Sequence, residues 1–230
     1  MTELLVADSF LVSAGLVRGL ELHRERFIGS CARHGVHADE FFTEAVARLP
    51  REGHWFPRFE LLPGGRLESR LRPAPGLGGA LRVQLYDGPD PRREPRTKGP
   101  DLLLLGELRR RAAGADEVLL TGPGGEVLEA AYTSLLWWEG DTLCLPPQHL
   151  PLLPSVTVAL LRRLAAWRDV PVAERSRTPA ELDGREAWLV NALHGIRPVR
   201  SWSGFAGTAG PAVRAADWQR DLEALAEPLS

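Results

Sequence analysis

Lysine is nearly absent from this chain of 230 residues: of its 28 basic side chains only Lys98 is not an arginine. A surface cation can be either residue. An amine that must form and exchange Schiff bases cannot be a guanidinium, which stays protonated and is a poor nucleophile. Lys98 is therefore a candidate electrophile-capturing group, set against the plainer reading of one surface lysine left by an arginine bias. Cysteine is scarce too. Cys31 and Cys144 are isolated, with no CxxC spacing and no clustered histidines, which argues against a disulfide framework and a zinc site. A surplus of positive charge is also missing. The formal net charge is -2, so the chain lacks the basic field that nucleic-acid binding needs. No apolar run approaches the ~18 residues of a membrane span, and Met1-Thr2-Glu3 carries no basic leader. The expectation is a cytoplasmic protein with no metal, no membrane and no nucleic-acid partner. A composition of 44% hydrophobic and 25% charged residues is that of an ordinary globular chain.

What is present reads as alternating strands and helices. Residues 4–20 suit short strands joined by tight turns, and residues 21–33 suit a helix with Leu22, Phe27 and Ile28 on its apolar face. A second helix is predicted from Asp39 to Pro50. Gly64-Gly65 between two alternating runs signals a hairpin, and residues 55–88 are expected to be antiparallel strands. Residues 89–97 hold three prolines and three arginines and no apolar side chain, the composition of an interdomain linker with nothing cheap to bury. A helix should follow from Asp101, as its cap, to Gly114, and then strands around the turn Gly122–Gly125. A helix starting near Ser155, a strand at 171–176, a short helix at 179–182, a strand at 187–193 and a terminal helix through Trp218, Leu222 and Leu225 complete the chain. The domain reading is a small domain at 1–88, a linker at 89–97 and a larger domain at 98–230.

Three features downstream and upstream of Lys98 bear on chemistry. Glu129 lies among apolar residues in VLEAAYTSLLWW. If it is buried it needs a cationic partner, and a protonated pyridine nitrogen would serve; the competing reading is an exposed strand-edge glutamate. Ser155-Val156-Thr157 opens a helix and so offers a hydroxyl and free N–H groups to an anion. Arg26, in His23-Arg24-Glu25-Arg26-Phe27, can serve a phosphate or a surface carboxylate.

In this order the pieces resemble the class IV aminotransferases, the pyridoxal phosphate (PLP) enzymes of fold type IV, which include branched-chain and D-amino-acid aminotransferases and aminodeoxychorismate lyases. HRERF is similar to the family's HxxRL element. Lys98 stands where the Schiff-base lysine is expected, with Glu129 31 residues on. LPSVTVALL resembles the LPGxTR phosphate turn, and WLVNALHGIRPV resembles a lyase-like segment in which Asn191 and Ala192 would lie beside phosphate and substrate carboxylate. The resemblance implies an α/β (α+β) chain of two domains with a mixed, barrel-like sheet in the larger one. It also implies PLP held by Arg26, Lys98, Glu129, Ser155, Val156, Thr157, Asn191 and Ala192, with Lys98 and Glu129 catalytic. Partners implied are an amino acid and a 2-oxo acid, in a homodimer. Departures are Asp101 and Ser134 for asparagines, Ser155 and Val158 for the turn's Gly and Arg, and Leu11 and Val12 where lyases carry threonines. The expected activity is amino transfer. The alternatives are aminodeoxychorismate lyase, against which Leu11 and Val12 count, and a non-catalytic PLP-binding protein.

Overall fold

Apolar and polar residues alternate along Arg58-Phe59-Glu60-Leu61 and stop at Pro63-Gly64-Gly65, where the two glycines take φ of 79° and 77°. Glycine tolerates that conformation, and the flanking strands pair antiparallel as predicted. The computed structural model of the protein describes residues 4–112 and 114–229. In chain order its elements are β1 (Val6–Ser9), β2 (Val12–Ser13), β3 (Leu16–Arg18), α1 (Leu20–Ala32), α2 (Asp39–Ala47), β4 (His54–Trp55), β5 (Arg58–Leu62), β6 (Arg66–Arg70) and β7 (Leu81–Pro89). They continue with α3 (Leu102–Arg111), β8 (Glu117–Thr121), β9 (Val127–Ala130), β10 (Ser134–Glu139), β11 (Thr142–Leu145), α4 (Val156–Trp167), β12 (Val172–Glu174), β13 (Ala187–Asn191), β14 (Gly195–Ser203), α5 (Ala215–Ala224) and β15 (Ala226–Pro228).

The N-terminal segments close around aromatic side chains. In α1 the buried residues His23, Phe27, Ser30 and Cys31 recur at helical spacing. Phe27 meets Phe42 of α2, and Phe42 meets Phe10 and Phe59, with ring centroids 5.1 to 6.4 Å apart. Burying each such ring stabilises the fold by ~1.5–3 kcal/mol relative to exposure. Phe59 sits in a three-stranded sheet, β1-β5-β6.

The larger sheet has eight strands in the order β12-β11-β10-β13-β14-β7-β8-β9. Pairs β11–β12, β14–β7 and β7–β8 are parallel and the others antiparallel. Both faces of its middle strands are covered, which explains their unbroken apolar runs. On one face Trp138 and Trp188 pack with Trp218 of α5 and with Leu160 and Leu164 of α4; on the other, Trp137 and Leu189 join Val83 and Leu135. No helix among the described residues is long and apolar enough to cross a membrane.

Four details differ from the sequence reading. β7, expected among the antiparallel strands of residues 55–88, instead pairs in parallel with β14 and β8. Its alternating pattern marks a strand but cannot name a partner more than a hundred residues away. Segment 89–97 is not free of buried groups: the side chains of Arg92 and Asp90 are only 5% and 8% exposed, because they bury each other's charge. Asp101 holds the N-cap position of α3 but its side chain makes no capping bond; its carboxylate accepts the N–H groups of Arg93 and Glu94 at 2.9 to 3.1 Å and folds that segment back. Finally, the terminal helix stops at Ala224, and β15 pairs with β3 near the start of the chain.

Candidate active site

Gly99 fixes the position of Lys98. At φ 146° it lies so close to β1 that a Cβ would stand 2.9 Å from the Val6 Cα, and the Ala7 N–H donates to the Lys98 carbonyl at 2.6 Å. Among the described residues the half-buried Lys98 amine makes no hydrogen bond. Burial, followed by the charges of Arg26, Arg58 and Arg72, brings its pKa down to about 8, with Asp8 opposing. At pH 7 about a tenth of such amines are neutral, several hundredfold more than for an ordinary lysine.

Asp8 is the carboxylate around which this corner is built. It is fully buried, accepts from His23 Nδ1 at 2.7 Å, and receives a two-pronged bond from Arg26, Nε to Oδ2 and Nη2 to Oδ1, both at 2.8 Å. Burial would raise its pKa, but Arg26 and then His23 more than offset this and hold the carboxyl well below the usual range. Burial lowers the pKa of His23, with Asp8 opposing, and its Nδ1 N–H donates a hydrogen bond to the Asp8 carboxylate. Arg26 Nη1 donates to the Pro154 carbonyl at 3.0 Å, which ties α1 to the loop before α4. Arg26 therefore keeps only part of its five-donor fork for another anion.

Glu129 is buried on β9, as its apolar neighbours predict, and its partner is Arg92. Oε1 accepts from Arg92 Nη1 and from the Leu153 N–H at 2.9 Å, while Oε2 accepts nothing among the described residues. Burial outweighs Arg92 and raises the Glu129 pKa. Ser155 caps α4, its hydroxyl accepting the Val158 N–H at 3.3 Å; the N–H groups of Val156 and Thr157 have no acceptor among the described residues.

Arg26, Glu129, Ser134, Ser155 and Val156 line one cavity of about 520 Å³. Lys98, Thr157, Asn191 and Ala192 are not on that wall. Thr157 is buried one residue further along α4. Asn191 spends its side chain on its own turn: Oδ1 accepts from the Leu193 and His194 N–H groups at 3.2 and 2.9 Å, and Nδ2 donates to the Tyr132 carbonyl at 3.4 Å. The Ala192 carbonyl accepts from Arg18 Nη2 at 3.1 Å. No group of three or more His, Cys, Asp or Glu placed to hold a metal occurs among the described residues.

Sequence reasoning missed Asp8, Asp90 and Arg92. The first had a signal of the same kind as Glu129, a carboxylate in an apolar run, Leu4-Leu5-Val6-Ala7-Asp8-Ser9-Phe10. Arg92 and Asp90 had none, because a Pro/Arg segment reads as solvated until its fold is known.

The family model described as amino-transferase class IV matches residues 5–202. No curated protein matches the chain. Among solved structures, a branched-chain aminotransferase from Thermoproteus uzoniensis with norvaline has a TM-score of 0.79 at 20% identity, covering 98% of this chain and 90% of that one. A Legionella pneumophila structure assigned as 4-amino-4-deoxychorismate lyase has a TM-score of 0.80 at 18% identity, covering 96% of this chain and 90% of that one. A hypothetical aminotransferase from Mycobacterium tuberculosis, in PLP-bound form, has a TM-score of 0.75 at 18% identity, covering 96% and 88%. These likenesses establish the α/β fold with its curled mixed sheet.

Proposed function

From the premise that this chain belongs to the class IV aminotransferase family, we propose that it transfers an amino group between an amino acid and a 2-oxo acid. The family's cofactor is PLP, which when bound supplies an electron sink for the pair left when a substrate Cα–H bond breaks. The residues present fit it. Glu129 offers Oε2 to the cavity with its other oxygen already tied, as a pyridine N–H requires. Arg26 and the α4 N-terminus offer the same cavity positive charge and unpaired N–H groups, as a phosphate requires.

In this reading Lys98 carries the cofactor and, once released, moves the proton at the substrate Cα as base and then acid. Glu129 holds the proton on the ring nitrogen. Arg26, Val156 and Thr157 hold the phosphate, with Ser155 fixing the first turn that presents them. Asn191 and Ala192 form the turn that the reading sets beside phosphate and substrate carboxylate, although like Lys98 and Thr157 they lie off the wall of that cavity. The observation that carries the reading is the Lys98 amine, the chain's one lysine, brought to about 8 beside three arginines. An amine in that state is a competent nucleophile at neutral pH.

The test is an absorbance scan of purified protein reconstituted with PLP, followed by borohydride reduction and peptide mapping. A band near ~410 nm that reduction fixes to Lys98 is expected. Its absence, or its persistence in Lys98→Ala, sinks the reading. Amino donors paired with 2-oxo acids then test the reaction. The lyase alternative rests on Asn191-Ala192-Leu193-His194-Gly195-Ile196-Arg197-Pro198-Val199. Against it, Val12 is sealed in the aromatic core and has no hydroxyl to offer. Release of pyruvate and 4-aminobenzoate from aminodeoxychorismate, without an oxo-acid acceptor, would establish the lyase instead. A cytoplasmic homodimer and a division of the chain at the linker 89–97 belong to the same proposal. Light scattering at about twice 25.3 kDa checks the dimer.

A further inference from the structure

Asp90, Arg92 and Glu129 form a closed cluster with side chains 8%, 5% and 6% exposed. Arg92 Nε donates to both oxygens of Asp90 at 2.9 and 3.0 Å and Nη2 to Oδ2 at 2.8 Å, while Nη1 reaches Glu129 Oε1. Nη2 also donates to the Pro151 carbonyl at 3.0 Å. One guanidinium thus serves two carboxylates, and the cluster is one positive charge short. The arginines on the cavity wall do not bond Glu129: Arg26 is committed to Asp8, Arg33 to the Ser30 and Thr97 hydroxyls, Arg96 to the carbonyls of Gln148, His149 and Leu150, and Arg162 to Glu174. The groups that face Glu129 are Arg92 and Asp90 from segment 89–97 and the Leu153 N–H from the loop before α4.

A buried cluster with unbalanced charge is costly unless a counter-charge is supplied. Without Asp90, the Arg92–Glu129 pair would be self-contained, and Glu129 would have little charge left for a ligand. Resting on the reading above that a pyridine ring stands against Glu129 Oε2, we propose that Asp90 is a positioning residue for the cofactor: by neutralising Arg92, it leaves Glu129 with an unspent negative charge that keeps the ring nitrogen protonated. Burial raises the Glu129 pKa, and the Asp90 charge adds to it, as a group short of its counter-ion should show. Asp90 itself touches neither ring nor substrate in this arrangement. It acts through two side chains.

The experiment loads the full-length protein with PLP labelled with 15N in the ring and follows that nitrogen's chemical shift across pH in wild type, Asp90→Asn and Arg92→Gln. Asp90→Asn keeps the shape and removes the charge, so the ring-nitrogen pKa should fall by about one unit or more and its resonance should move downfield at fixed pH. Arg92→Gln removes the opposing charge and should move it the other way. Opposite signs are what an electrostatic role gives; a merely structural role moves both variants alike. An unchanged Asp90→Asn resonance with cofactor bound, or shifts of one sign in both variants, overturns the proposal. Asp90→Ser, which removes the charge in less volume, reads the same shift should the asparagine variant not fold. Failure of the wild type to bind PLP at Lys98 would sink the functional reading itself, whereas wild-type binding with an indifferent Asp90→Asn sinks only the role of Asp90.

Discussion

Lys98 is the residue whose environment says most about chemistry. Its amine titrates below the ordinary lysine value, so it binds fewer protons folded than unfolded between about pH 8 and the unfolded value near ~10.4. The sign follows: below about 8 the folded protein carries the full cost of a charged, partly buried amine, and that cost is relieved as pH rises toward ~10.4. Lys98→Met should therefore stabilise the cofactor-free protein at pH 7 by ~1–3 kcal/mol, with the gain shrinking toward pH 10, as read by denaturant melts across pH. A gain independent of pH would mean the methionine merely packs better. Asp8 acts in the opposite sense. Its depressed pKa contributes stability that is present above the unfolded value of ~3.9 and is lost as pH falls below it. Asp8→Asn leaves Arg26 without its carboxylate and should cost about 3–5 kcal/mol at pH 7, with a shallower acid limb in the melt. It should also lower the Lys98 pKa, since Asp8 is the carboxylate that opposes the arginines there.

At the scale of elements, Lys98 is positioned by contact between segments and not by a helix or strand of its own. Gly99 is where the chain leaving segment 89–97 touches β1, and only glycine combines that φ with so close an approach. Gly99→Ala should cost more than ~1 kcal/mol in stability and should weaken PLP binding, measured by equilibrium dialysis, because Lys98 moves with it. A destabilised variant with unchanged PLP affinity would show that the clasp serves folding alone. Helix α4 contributes differently. Its Ser155 cap fixes the first turn and leaves the Val156 and Thr157 N–H groups unspent. Ser155→Ala should cost ~0.5–2 kcal/mol in a thermal or denaturant melt.

Across the whole molecule, the cavity is closed by pieces far apart in the chain. Arg26 from α1 bonds the Pro154 carbonyl, and Arg92 bonds Glu129 and the Pro151 carbonyl. The C-terminus returns to the start: β15 pairs with β3, the Leu229 N–H donates to the Gly15 carbonyl at 2.9 Å, and Leu229 is buried in the N-terminal core. Deleting residues 225–230 should therefore destabilise the N-terminal aromatic core by ~2–5 kcal/mol, the scale of losing a buried leucine together with its strand. Hydrogen exchange in β2 and β3 would show it, and unchanged protection there would contradict the assigned role of β15.

The sequence by itself determined which segments are strands and helices, because periodicities of two and 3.6 are local. It also singled out Lys98 as the lone amine and Glu129 as a carboxylate among apolar residues, while leaving burial or exposure of Glu129 for the fold to decide. Only the tertiary structure decided what neutralises what. Arg92 and Asp90 sit in a segment that reads as a solvated linker, yet fold inward because each makes the other's burial affordable. β7 finds its parallel partner β14 across more than a hundred residues, and Asn191 turns its amide on its own loop. Burial of an isolated residue can be argued from its neighbours in sequence. The partner of a buried charge is set by the fold, because electrostatic pairing depends on distance in space and is indifferent to order along the chain.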